Sequence, residues 1–310
     1  MEPVLEVKDL SISFTQYQGG TRRRVLPVIR RLSLTIEAGQ VVAVVGSSGS
    51  GKSLLAHGIL GILPYNSHME GELRYRGEPL TPRRAEQLRG KEIVLVPQGV
   101  TYLDPLMKVG PQLRGGRRDA QAKAQSRAVL ARYGLGPETE ERYPFELSGG
   151  MARRVLIATA AAQSPRLLIA DEPTPGLDAR AAGRILGHFQ EIAQQGAGVL
   201  LITHDLELAL TIAQKVAVFY AGETVEEAGA EDFAAGRLRH PYTNALWNAL
   251  PQNGFTPIPG SQPWPGEEGS GCPFAPRCPR RSAACAGDIP WRTVNGGQVR
   301  CLYPEGGEKP

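Results

Sequence analysis

Val41-Val-Ala-Val-Val-Gly46-Ser-Ser-Gly-Ser-Gly51-Lys52-Ser53-Leu54 is the stretch whose reading decides the fold. Val41 to Val45 is apolar without a break, the pattern of a strand covered on both faces. Glycine and serine then fill Gly46 to Gly51, and Lys52 to Leu63 resumes with helical spacing until Pro64. Gly46, Ser47, Ser48, Gly49, Ser50, Gly51, Lys52 and Ser53 fit G-x4-G-K-[ST] between that strand and that helix, with Leu54 closing the nucleotide-binding stretch. The glycines let the loop curl so that successive N–H groups face phosphate oxygens, and the helix N-terminus adds its dipole. In such a loop the lysine reaches the β- and γ-phosphates and the last serine ligates Mg²⁺. A chance match in a chain of this length is on the order of one in a hundred.

Working outward, Leu5 to Phe14 and Leu32 to Ile36 alternate apolar with polar residues, as half-buried strands do. Glu72 to Tyr75, Glu92 to Val96, Leu167 to Ala170 and Val199 to Thr203 are further strands, and Ala179 to Gln194 is a helix. Val216 to Tyr220 and Glu223 to Glu227 form a closing hairpin. Residues from about 104 to 165 are rich in Ala, Arg, Gln and Leu and are read as mainly helical. The alternation argues an α/β fold with a helical insertion.

The second half of the phosphate site is Leu167-Leu-Ile-Ala-Asp171-Glu172. An apolar strand delivers Asp171 to its polar end to hold the Mg²⁺ hydration shell, and Glu172 can polarise an attacking water. Leu147-Ser148-Gly149-Gly150-Met151 precedes a helix over Ala152 to Ala162. Ser148 can cap it, and two glycines bare its first N–H groups. That anion-binding end has no local anion, which points to an anion held by another subunit. His204, at the end of an apolar strand, belongs with the same chemistry.

Composition bounds the rest. The 310 residues carry 35 Lys and Arg against 31 Asp and Glu, and the basic residues do not cluster, so a nucleic-acid partner is not expected. No apolar run approaches the ~18 residues that span a bilayer. The N-terminus, with Glu2, Glu6 and Asp9, lacks a signal-peptide core, so a cytosolic chain is expected. The excess of Gly and Pro gathers partly in 251 to 276, a linker of mixed stiffness. Cys272, Cys278, Cys285 and Cys301 follow, spaced C-x5-C-x6-C-x15-C, in a segment too short for its own core. A reducing compartment disfavours disulfides, and the paired knuckles usual for structural zinc are absent, so iron–sulfur cluster, zinc and free thiols all stay open.

These motifs resemble the nucleotide-binding subunits of ATP-binding cassette (ABC) transporters, over about residues 1 to 250. The resemblance adds Gln98 in Val96-Pro-Gln-Gly, linking γ-phosphate and Mg²⁺ to the membrane subunits, and Asp178 in Pro175-Gly-Leu-Asp, at the subunit interface. It makes Phe14, with Tyr17 as the alternative, the aromatic that stacks on adenine. It implies an antiparallel β-subdomain and a helical subdomain near 99–165. It makes Glu172 the general base, with His204, Gln98 and Lys52 in catalysis, and residues 147–151 a signature that closes on a partner's ATP. Met151 and Gly176 depart from the usual Gln and Ala or Ser, without removing a charged group.

His240-Pro-Tyr-Thr-Asn-Ala-Leu246 and Cys272-Pro-Phe-Ala-Pro-Arg-Cys278-Pro279 resemble the C-terminal extension of the dipeptide, oligopeptide and nickel importers. By that resemblance the four cysteines, in an extension over 272–310 behind a linker at 251–271, hold a [4Fe-4S] cluster, with Zn²⁺ as the alternative. The implied partners are a second ABC ATPase subunit, two permease subunits and an extracytoplasmic solute-binding protein, at the cytoplasmic face of the cell membrane. Nickel or metal-chelator import, a soluble ABC ATPase acting on nucleic acid or ribosomes, and an electron-transfer or iron-sensing role for the cysteines are the competing readings.

Overall fold

The computed structural model describes residues 3–17, 22–47, 49–264 and 271–305. Ser48 of the phosphate loop, residues 265–270 of the linker and residues 306–310 lie outside them.

Two sheets carry the fold. The smaller is antiparallel, in the order β2 (Arg23–Glu37), β1 (Pro3–Tyr17), β4 (Ser67–Tyr75), β5 (Glu78–Pro79). The larger has a parallel centre built from β3 (Val41–Gly46), β6 (Ile93–Val96), β7 (Leu167–Asp171), β8 (Gly198–Thr203) and β9 (Lys215–Tyr220). It is completed by the antiparallel strands β10 (Glu223–Gly229), β11 (Arg292–Val294) and β12 (Gly297–Val299). Its order is β11-β12-β10-β9-β3-β8-β7-β6.

β3 shows why its sequence is apolar throughout. Val41, Ala43 and Val45 enter a core shared with the helices, while Val42 and Val44 enter a second core shared with the smaller sheet. A strand covered on both faces has no polar side to keep. Asp171 and Thr203 close the neighbouring parallel strands β7 and β8, so β3, β7 and β8 deliver the phosphate loop, the acidic pair and His204 to the same edge. This is the crevice at the carboxyl ends of strands where open α/β sheets bind ligands.

The α/β class, the antiparallel sheet and the helical part are as the sequence led us to expect. The helical part holds Val109–Leu113, Ala120–Arg132 and Gly149–Ala161, joined by short 3₁₀ turns. The first long helix ends earlier than its apolar spacing suggested, at Leu60, because Gly61 adopts φ 64° and turns the chain. β1 and β2 are longer than their alternating cores, with register shifts that break the periodicity.

The cysteine segment does not stand alone. Phe274 is buried in the main core, and β12 pairs with β10, so the segment borrows the larger sheet and its apolar interior. Arg239, 1% exposed, joins Glu226 and Asp232 to the Val294 and Asn295 carbonyls of the terminal hairpin. A guanidinium satisfied on all sides holds two chain segments together. The segment is therefore held by the main sheet and core without needing a core of its own.

Candidate nucleotide site

The described residues of the phosphate loop are shaped by two glycines and one lysine. Gly49 and Gly51 have φ 77° and 92°, the left-handed conformation that glycine adopts without cost. Gly46 is fixed by space, since a Cβ there would meet the Phe219 carbonyl oxygen at 2.1 Å. Lys52 Nζ crosses the loop and donates to the Gly46 and Ser47 carbonyls at 2.9 and 2.8 Å. Burial lowers the Lys52 pKa, and the charges of Glu172 and Asp171 oppose that shift. Leu54 is half-buried on the helix behind the loop.

Asp171 is 4% exposed. Its pKa is raised, first by burial, while a hydrogen bond with Ser53 pulls it down and the neighbouring Glu172 pushes it up. Asp171 thus meets the Ser53 hydroxyl and feels the charge of Glu172, and the buried Asp171 Oδ1 and Glu172 Oε2 have no hydrogen-bond partner in the protein. Two orphaned carboxylate oxygens beside a hydroxyl fit a hard cation such as Mg²⁺. Glu172 has φ 46°, a conformation rare outside glycine, of the kind that gathers at functional sites. His204 Nδ1 lies 2.8 Å from Glu172 Oε1.

Gln98 follows β6 with its side chain exposed. Ser148 caps the helix Gly149–Ala161 by accepting from the Met151 N–H at 3.3 Å. Ser148 and Gly149 are exposed; Leu147, Gly150 and Met151 are half-buried. Asp178 caps the helix Ala179–Gln194 by accepting from the Ala181 N–H at 2.8 Å. Phe14 packs partly against the core of the smaller sheet, whereas Tyr17 is 65% exposed beneath the Arg23 guanidinium.

One residue escaped the sequence reading. Arg153, on the helix opened by Ser148 and 4% exposed, donates to the Pro97 and Pro173 carbonyls at 2.7 and 3.0 Å, and to those of Gln98 and Glu172. It ties the segment carrying Gln98 to the segment carrying Glu172. An arginine on the inward face of an otherwise apolar helix was the available signal.

The four cysteines are free. Burial pushes Cys272 up to about 12 and Cys301 to about 11, and the charges of neighbouring cysteines push Cys272, Cys278 and Cys301 further the same way. Among the described residues no three of His, Cys, Asp and Glu are grouped so as to hold a metal ion, so neither the cluster nor the zinc alternative finds a ready site.

No helix among the described residues is long and apolar enough to cross a membrane. Residues 29–175 match the ABC transporter family, and residues 225–285 match the oligopeptide/dipeptide transporter C-terminal region. The chain is 37% identical to the dipeptide transport ATP-binding protein DppD of Bacillus subtilis, over 95% of this chain and 92% of that one. It is 35% identical to the oligopeptide transport ATP-binding protein OppD of Salmonella typhimurium, over 97% and 93%. It is 38% identical to the OppD of Mycobacterium bovis, of which it spans about half the length, 48%. Among solved structures, an ATP-binding subunit of an ABC transporter matches with TM-score 0.60 and 26% identity, over 76% of this chain and 93% of that chain. The dimeric cassette MJ0796, bound to ADP and Pi after hydrolysis, matches with TM-score 0.63 and 25% identity, over 73% and 98%. A phosphate loop, an acidic pair and a C-terminal region that all match along nearly the full chain place it in one group: the chain belongs to the ATP-binding proteins of the oligopeptide and dipeptide ABC transporter family.

Proposed function

We propose that this chain binds and hydrolyses ATP to power a membrane importer of peptides. The carrying observation is Glu172, which meets His204 through one carboxylate oxygen, keeps the other buried and unpartnered, and acts by its charge on Lys52 of the phosphate loop. Glu172 takes the proton of the water that attacks the γ-phosphorus, as the bond to ADP breaks. His204 orients the carboxylate and the water. Lys52 neutralises charge on the transferring group, and Phe14 stacks on the adenine. Ser53, Gln98 and Asp171 would hold Mg²⁺, which would offset the charge of the phosphates.

The exposed end formed by Ser148 and Gly149 suits a phosphate held by a second cassette, with Asp178 at the interface between the two. In this reading residues 1–250 are the cassette, 251–271 the tether and 272–310 the extension. Exposed apolar side chains in the helical part support docking of two permease subunits: Tyr102, Leu106 and Phe145 are 57%, 87% and 73% exposed. The Val109 N–H donates to the Arg142 carbonyl at 2.9 Å, which joins the loop before Val109 to the turn that carries Phe145. Such docking puts the chain at the cytoplasmic face of the membrane, with an extracytoplasmic binding protein supplying peptide. The names of the relatives and the matched C-terminal region support the peptide class.

A [4Fe-4S] cluster at Cys272, Cys278, Cys285 and Cys301 belongs to the same proposal. Its support is the resemblance of the cysteine spacing and the charges of Cys278, Cys285 and Cys301 felt at Cys272, all four thiols being free and buried or half-buried. The function is tested in liposomes carrying the assembled transporter. Peptide added with its binding protein should raise ATP hydrolysis and fill the vesicles; hydrolysis with no response to any peptide would remove the substrate assignment.

A further inference from the structure

Ser47 is the residue on which the phosphate loop is knotted. Its carbonyl accepts from Lys52 Nζ and from the Ser50 hydroxyl, both at 2.8 Å. Its other polar groups leave the loop and meet the C-terminal part of the chain. The Ser47 hydroxyl hydrogen-bonds Gln262 Oε1, across 215 positions of sequence. The Tyr242 phenol faces the same cavity as Ser47, and its contact with Ser47 opposes the upward push of burial on that phenol.

Both partners are themselves held. Tyr242 is 2% exposed, and its ring packs at 4.4 Å from Tyr220 and 5.4 Å from Phe274, centroid to centroid. Gln262 follows a turn at Gly260, φ 76°. Arg277 secures the chain before that turn, donating to the Pro259 and Ile258 carbonyls at 2.6 and 3.0 Å and to the Tyr220 hydroxyl at 3.0 Å. Arg277 precedes Cys278 in sequence, so these contacts run from the cysteine segment to the phosphate loop. They bound a cavity of about 390 Å³ that Ser47, Tyr242, Gln262 and Arg277 share with His204.

We propose that the C-terminal segment braces the phosphate loop for ATP: Tyr242 and Gln262 are positioning residues that act through Ser47, and Arg277 anchors the stretch that carries Gln262. A loop rich in glycine loses much conformational freedom when it closes on phosphate. Fixing Ser47 from outside removes part of that cost before ATP arrives, so the brace acts on affinity.

The test uses the full chain with Mg²⁺ and a fluorescent ATP analogue. Gln262→Ala should weaken binding about three- to tenfold, the effect of one lost hydrogen bond, without lowering its melting temperature, and Tyr242→Phe, which removes the phenol oxygen from the cavity wall beside Ser47, should weaken it in the same direction. In the assembled transporter, KM for ATP should rise while kcat changes less than twofold. In a Ser47→Ala background, Gln262→Ala should add no further loss. Arg277→Ala and Gln262→Ala together should weaken binding less than the product of their separate effects. Unchanged affinity in Gln262→Ala and Tyr242→Phe would overturn the proposal. So would an undiminished effect of Gln262→Ala on top of Ser47→Ala. Tighter binding in either single variant would make the contact a restraint instead of a brace.

Discussion

His204 Nδ1 stands 2.8 Å from Glu172 Oε1, while Glu172 Oε2 is buried with no partner in the protein. The imidazole donates when the carboxylate is ionised, so it fixes the rotation of Glu172 and leaves the second oxygen unpaired, while the charge of Glu172 is felt by Lys52. One oxygen is therefore a tether and the other is free to accept a proton.

Glu172→Gln keeps the size of the side chain and loses the basic oxygen. ATP should still bind, and hydrolysis in the assembled transporter should fall by about 10²- to 10⁴-fold, with the closed cassette pair accumulating. Lys52→Ala should act on binding instead. It removes the donor to Gly46 and Ser47 and the charge facing phosphate, and should raise the ATP Kd about ten- to a hundredfold. Equilibrium binding and single-turnover hydrolysis separate the two; wild-type hydrolysis by Glu172→Gln would dismiss the base assignment.

Ser148→Arg places bulk and positive charge at the exposed helix end. It should abolish turnover at the ATP held by the opposite cassette while leaving this chain's own ATP affinity within about twofold. The isolated chain should be a weak ATPase for the same reason, because its signature has no second nucleotide to close on. Site-resolved nucleotide trapping in the assembled mutant decides the matter, and normal turnover at both sites would count against the sandwich.

His240 is 1% exposed and accepts from the Tyr242 N–H at 3.0 Å. Burial first, and the nearby Arg300 second, lower its pKa from 6.5 to about 3. Above pH 6.5 neither folded nor unfolded chain carries this proton, and stability is whole. As pH falls from there toward 3, only the unfolded chain takes it up, so stability drops by up to about 1.4 kcal/mol per pH unit. Urea midpoints should be lower at pH 5.5 than at 7.5. His240→Asn, which can still accept the Tyr242 N–H, should flatten that dependence; an unchanged slope would assign the acid sensitivity elsewhere.

If the thiols hold a cluster, protein purified without oxygen should be brown, with broad visible absorbance and about four irons per chain. Cys278→Ser should bleach it. ATP affinity should survive, because Ser47 is held by Tyr242 and Gln262 and not by the cysteine itself. A colourless anaerobic preparation holding no iron would leave the four thiols without a cluster.

The phosphate loop, the acidic pair, the signature helix cap and the apolar strand β3 are written within short runs, such as Gly46 to Ser53 and Leu167 to Glu172, because each depends on residues adjacent in the chain. Their chemistry follows from residue type and local turn, so the sequence by itself determined them, together with the α/β class. Only the tertiary structure brought Arg153 to the carbonyls of Pro97, Gln98, Glu172 and Pro173, and Ser47 to Tyr242 and Gln262. It also attached the cysteine segment to the main sheet through β12. Those meetings depend on which strands lie side by side, and strand order is set by burial over the whole chain. A lone buried arginine, or a glutamine in a proline-rich stretch, carries no mark of its distant partner. Its place is fixed by the packing of everything between them.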